Sequence, residues 1–163
     1  MALVQRDFIL RMIEAVSAAL ARALRRRAEK DYTGARQDIA EAVGQVLGPR
    51  GALAAMVDSR TAADIISEAR QIALYATLLA EDARILDEMG SADAGRKVRV
   101  RALELMLETR IRDLELPDSD LDVLRALVLE CEGVAVAPRY AEALASARRE
   151  GPPRTGHEGE HHE

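Results

Sequence analysis

Aliphatic side chains recur at steps of three and four residues along almost the whole chain. That spacing admits amphipathic helices and little else. A helix brings residues i, i+3, i+4 and i+7 to one face, whereas a half-buried strand needs strict alternation. β-branched runs bounded by turn residues are missing, so no sheet is expected. The core must be aliphatic, because aromatics make up 2% of the 163 residues, with no Trp and the single Phe8. Abundant alanine favours helix and lets helices approach closely. The expected fold is all-α, with one helical domain over residues 1–150.

The spacing predicts a first helix from about Leu3 to Glu29, with Ile9, Ile13, Val16, Leu20 and Leu24 on one face. Phe8, Met12, Ala15 and Ala19 widen that stripe, as a helix with more than one neighbour requires. Arg25, Arg26 and Arg27 close it, where cations complement the helix dipole. Asp31 caps a second helix, about Tyr32 to Leu47, which Gly48 and Pro49 end. A short helix, about Ala52 to Val57, follows. Ser59 or Thr61 then caps a long segment to Met89, either one helix or two broken near Ser67. Further helices are expected at about Ala92 to Leu114, at Asp120 to Glu132 capped by Asp118 or Ser119, and at Arg139 to Arg149 behind Pro138. From Gly151 the chain reads GPPRTGHEGEHHE. This stretch, residues 151–163, has no apolar period and reads as a disordered tail containing His and Glu.

Asp31-Tyr32, followed by Ala35, Ile39 and Ala42, resembles the second helix of a tetratricopeptide repeat, with Lys30 where that family prefers glycine. Gly90 to Leu103 is a looser copy, with Gly95 for the first alanine and Arg99 for the large apolar residue. The resemblance implies a tetratricopeptide-like array of antiparallel helix hairpins; an antiparallel helical bundle is the alternative. Asp7-Phe8-Ile9-Leu10-Arg11-Met12-Ile13-Glu14 is also similar to the start of an uncharacterised bacterial family of single-domain, repeat-like helical proteins. That likeness covers about Arg6 to Ala126 and implies no activity.

Residues able to do chemistry are sparse. His157, His161 and His162 all lie in the tail. No histidine base can therefore pair with a Ser or Cys nucleophile in the helical part. Gly48-Pro49-Arg50-Gly51 lacks the Lys-Ser/Thr of a phosphate loop and follows a helix. Cys131 reads as a core residue, and as a lone cysteine it excludes an internal disulfide. Glu81, Asp82, Asp87 and Glu88 read as a solvated face, with a weak cation site the sharper alternative. Arg96, Lys97, Arg99 and Arg101 form a basic cluster without aromatic stacking platforms. With a net charge of −5, that disfavours nucleic acid as the partner. No catalytic residue, metal ligand or cofactor is expected.

The first apolar stretch is interrupted by Arg11 and Glu14, so neither a signal peptide nor a transmembrane segment is read, and the expected location is cytoplasmic. The expected function is a non-enzymatic protein–protein interaction or scaffold module. Its partner is an unidentified protein or, in a homodimer, a second copy. The alternatives are binding of an anionic surface through Arg22 to Lys30, binding of a small ligand, and an enzyme of unrecognised type.

Overall fold

The computed structural model describes residues 2–152. Among them every regular element is helical: α1 (Ala2–Ala28), α2 (Tyr32–Leu47), α3 (Arg50–Met56), α4 (Ser59–Ile66), α5 (Ala69–Glu88), α6 (Ala92–Ile111), α7 (Asp118–Glu130) and α8 (Ala141–Arg149). A 3-10 turn, Pro138–Tyr140, leads into α8. The helices pack as an array in which α1 lies on α2, α2 on α5, α5 on α6, α6 on α7 and α7 on α8. The short α3 and α4 pack on each other and bring α4 onto α6. The expectation for residues 153–163 falls outside the described residues.

Two long hairpins, α1–α2 and α5–α6, turn in the same way. In the first, the Lys30 amide donates to the Arg27 carbonyl at 3.0 Å and the Asp31 amide to the Arg26 carbonyl at 2.8 Å. In the second, Gly90 donates to Asp87 at 3.1 Å and Ser91 to Leu86 at 2.9 Å. Asp113 and Leu114 close the end of α6 with the same pair of bonds, to Arg110 and Thr109. These bonds satisfy helix-terminal carbonyls and require a residue in the left-handed region. Lys30, Gly90 and Asp113 supply it, with φ of 61°, 82° and 54°.

The small residues of the tetratricopeptide-like pattern sit where helices touch. Ala35, Ile39 and Ala42 are buried, and Tyr32 packs half-buried against the core. Gly95 replaces alanine for a steric reason. A Cβ there would stand 3.0 Å from the Ala83 carbonyl oxygen and would run into the Asp87 carboxylate. Arg99 is not a solvated substitute for an apolar residue: it lies between Asp87 of α5 and Glu130 of α7 and pairs with both.

Residues 59–88 form two helices. Ser67 takes a φ of 61° and its amide donates to the Ala63 carbonyl, closing α4. The Glu68 carboxylate then accepts from the Gln71 amide at 3.0 Å and opens α5. The cap of α4 is Asp58, which accepts from the Thr61 amide at 2.8 Å. Ser59 is instead the first helical residue, its hydroxyl bonded to Glu104 at 3.0 Å. α7 begins at Asp118 without a side-chain cap. Two assignments in the stripe of α1 fail: Leu24 and Phe8 are 46% and 54% exposed. Leu24 is turned about 110° around α1 from the buried Met12, Val16, Ala19 and Ala23, and Phe8 precedes Met12, the first buried residue of the helix.

Buried polar groups tie the joints. The Gln71 side-chain amide donates to the Val46 carbonyl at 3.2 Å, and its oxygen accepts from Arg50 at 3.0 Å. Arg50 also donates to the Ile66 carbonyl at 3.1 Å, satisfying the exposed end of α4. Arg101 does the same for α3 through the carbonyls of Ala54 and Val57. Glu108 is fully buried in α6 and accepts from Arg139 at 2.7 and 3.1 Å, Tyr140 at 2.7 Å and Arg112 at 2.9 Å. Burial raises its carboxyl, but these bonds outweigh burial and hold it at about 2. Burial, and then the bond to Glu108, push the Tyr140 hydroxyl above its ordinary range.

Candidate interaction surface

The charged clusters are spent on holding helices together. Arg26 pairs with Asp31 at 3.0 Å and with Asp38 at 2.8 Å. Arg27 reaches Glu81 at 2.7 Å and Glu88 at 3.4 Å, while Arg25 is exposed. The Arg triplet is thus mainly a clamp from α1 to α2 and α5, which weakens its use for an anionic surface. The acidic cluster meets the same fate. Asp82 binds Arg36 through two hydrogen bonds, at 2.8 and 3.2 Å, and Asp87 binds Arg99. Glu81 is buried, so it is no part of a solvated face.

The basic cluster on α6 is also divided. Arg99 and Arg101 serve packing, Arg96 pairs with Asp93 on its own helix, and Lys97 is exposed. Among the described residues no group of three His, Cys, Asp or Glu converges as metal ligands would. Cys131 is buried, and burial pushes its thiol up to about 11, away from reactive thiolate. His157, His161 and His162 lie outside the described residues.

A depression of about 640 Å³ lies between the end of α6 and α8. Its polar lining includes Arg110 and Arg139. Arg110 is already bound to Glu150 and Arg139 to Glu108, so neither offers a free charge to a ligand.

The largest run of exposed apolar side chains among the described residues is at the start of α1. This helix has 27 residues and α2 has 16. At 1.5 Å per residue they are about 40 and 24 Å long, so α1 overruns its partner. Met12 is its first buried residue. Before it, Leu3, Val4, Phe8 and Leu10 are 76%, 73%, 54% and 49% exposed. Ile9 and Ile13 border them, half-buried. Four large apolar residues within eight positions are thus left in solvent, Leu3 and Leu10 on one side of the helix and Val4 and Phe8 on another. The sequence reading placed Phe8 inside and left Leu3, Val4 and Leu10 unassigned. The available signal was the length mismatch between the first two helices.

No helix among the described residues is long and apolar enough to cross a membrane. Comparison with protein-family models, curated proteins and solved structures finds no match to this chain. The chemistry of the surface is therefore read from its own residues: apolar side chains on a rigid helix, with Arg6, Asp7, Arg11 and Glu14 interspersed.

Proposed function

We propose that the protein is a non-enzymatic protein-binding or scaffold module of the cytoplasm, with tetratricopeptide-like stacking of its hairpins. The observation that carries this reading is the overrun of α1, which holds Leu3, Val4, Phe8 and Leu10 in solvent on a helix anchored from Met12 onward. Exposed large apolar side chains on a pre-formed helix suit a protein partner, because binding then orders little additional chain. Charged side chains among them supply orientation more than affinity. The pairing of Arg26, Arg27, Glu81, Asp82, Asp87 and Arg99 within the fold supports the non-enzymatic part of the reading.

The test compares capture from native lysate by the full chain and by Phe8→Glu, with circular dichroism confirming that both are folded. The reading expects a protein retained by the first and lost by the second. Identical capture by both chains, or capture by neither, counts against it.

A further inference from the structure

The solvent side of α1 carries a second regularity. Leu3, Leu10, Ser17 and Leu24 recur every seven residues and are all exposed. Arg6, Ile13 and Leu20 stand three residues after the first three of them, the last two half-buried. Alternating steps of three and four along one side make the seam of a two-helix coiled coil. Within the fold α1 packs on α2 and α5, so Ile13 and Leu20 rest partly on the core and keep only their outer sides for a partner, while Arg70 of α5 stands at the edge of the seam beside Arg6, Leu10 and Ile13.

We infer that the seam takes the α1 helix of a second copy of this chain, running antiparallel about a twofold axis. This rests on reading α1 as a protein-binding helix and names the occupant of its Leu3 and Leu10 side. The register follows from the residues. With Leu10 set against Ile13 of the second copy, Leu3 falls against Leu20, and Arg6 falls against Ser17 beside Glu14. The twofold repeats each contact, so four layers are apolar and each Arg6 meets a carboxylate. Among the described residues neither Arg6 nor Glu14 makes an ion pair within the chain. The parallel arrangement would instead place Arg6 on Arg6, which costs rather than stabilises. The axis of the antiparallel pair passes between Arg11 and Met12, where α1 leaves its own domain. Each overrun therefore lies along the anchored half of the other helix, and the two domains stay on opposite sides of the axis.

The full chain at tens of micromolar, measured by light scattering after size exclusion, is expected at twice 17.8 kDa. Leu10→Glu, at an exposed position that leaves the core untouched, is expected to weaken the pair by about a hundredfold and return the mass to the single chain. Arg6→Glu and Glu14→Arg are each expected to weaken it about five- to tenfold, and the two together to restore it. A single-chain mass for the unaltered protein overturns the pairing, whatever capture from lysate shows about the face. A dimer indifferent to Leu10→Glu, or charge reversals that do not rescue one another, overturns it too.

Discussion

Lys30 and Gly90, sixty residues apart in the chain, occupy the same left-handed position at the tips of the two long hairpins, with φ of 61° and 82°. Each amide donates to the carbonyl three residues earlier, and each is followed by an amide bonded five residues back. The backbone demand is equal at both turns, but only one carries the residue without a Cβ. Lysine pays a steric cost in that region that glycine does not.

Lys30→Gly is therefore expected to stabilise the fold by about 0.5–1 kcal/mol, and Gly90→Lys to destabilise it by a similar amount. Nothing lies within 4 Å of a Cβ built on Gly90, so the second change isolates backbone strain from crowding. Paired denaturant titrations measure both. An unchanged midpoint for Lys30→Gly counts against the shared turn.

Gly95 and Gly44 separate close approach from conformational freedom. Gly95 faces the Ala83 carbonyl across the α5–α6 contact, while a Cβ on Gly44 meets nothing. Gly95→Ala is expected to cost about 1–3 kcal/mol as α6 is pushed from α5. Gly44→Ala in the exposed interior of α2 should gain about 0.5–1 kcal/mol. Thermal unfolding of the two variants should shift in opposite directions.

Glu108 makes the fold acid-sensitive. Its carboxyl is held at about 2, below the 4.5 of an unperturbed glutamate. The depressed value means that its contribution is complete above about pH 4.5 and is lost as pH falls toward 2. Allowing for solvent at the arginine ends of the cluster, that contribution is about 1–2 kcal/mol. Glu108→Gln leaves Arg139 and Arg112 short of a carboxylate and is expected to cost about 3 kcal/mol at pH 7. Its unfolding midpoint should also vary less than the unaltered chain's between pH 5 and 3.

Cys131 reports on opening of the α6–α7 contact. Being buried, with its thiol raised to about 11, it should resist a thiol reagent at pH 8 until the chain unfolds. The labelling rate should follow denaturant concentration as the unfolding rate does. Rapid labelling of the native protein would contradict the burial of this side chain.

The helical spacing made α2 legible to the residue at both ends, because Asp31 and Gly48 are strong local signals that tertiary contacts did not override. The break near Ser67 was legible only as an alternative. Serine has no intrinsic preference for φ of 61°, and the turn is supported by Arg50 donating to the Ile66 carbonyl from sixteen residues away. The cap at Asp58 was missed because Ser59 and Thr61 carry equally good capping side chains. Glu108 was invisible for a similar reason: one acid in a helix reads as solvated until Arg139, Tyr140 and Arg112 are brought around it.

The exposed side of α1 divides along the same line. The exposed seam of α1 was present in the seven-residue spacing of Leu3, Leu10, Ser17 and Leu24, but a wide apolar stripe does not say which of its sides is covered. That depended on where α2 and α5 lie and how far α2 reaches along α1.

The sequence by itself determined the helical class, the near-complete reliance on aliphatic packing, and the places where small residues let helices touch. These are local consequences of period, propensity and side-chain volume. Only the tertiary structure decided which charges are clamps, which carboxylate is buried and which length of α1 is left without a neighbour. Each of these depends on groups tens of residues apart in the chain, whose approach no local pattern encodes.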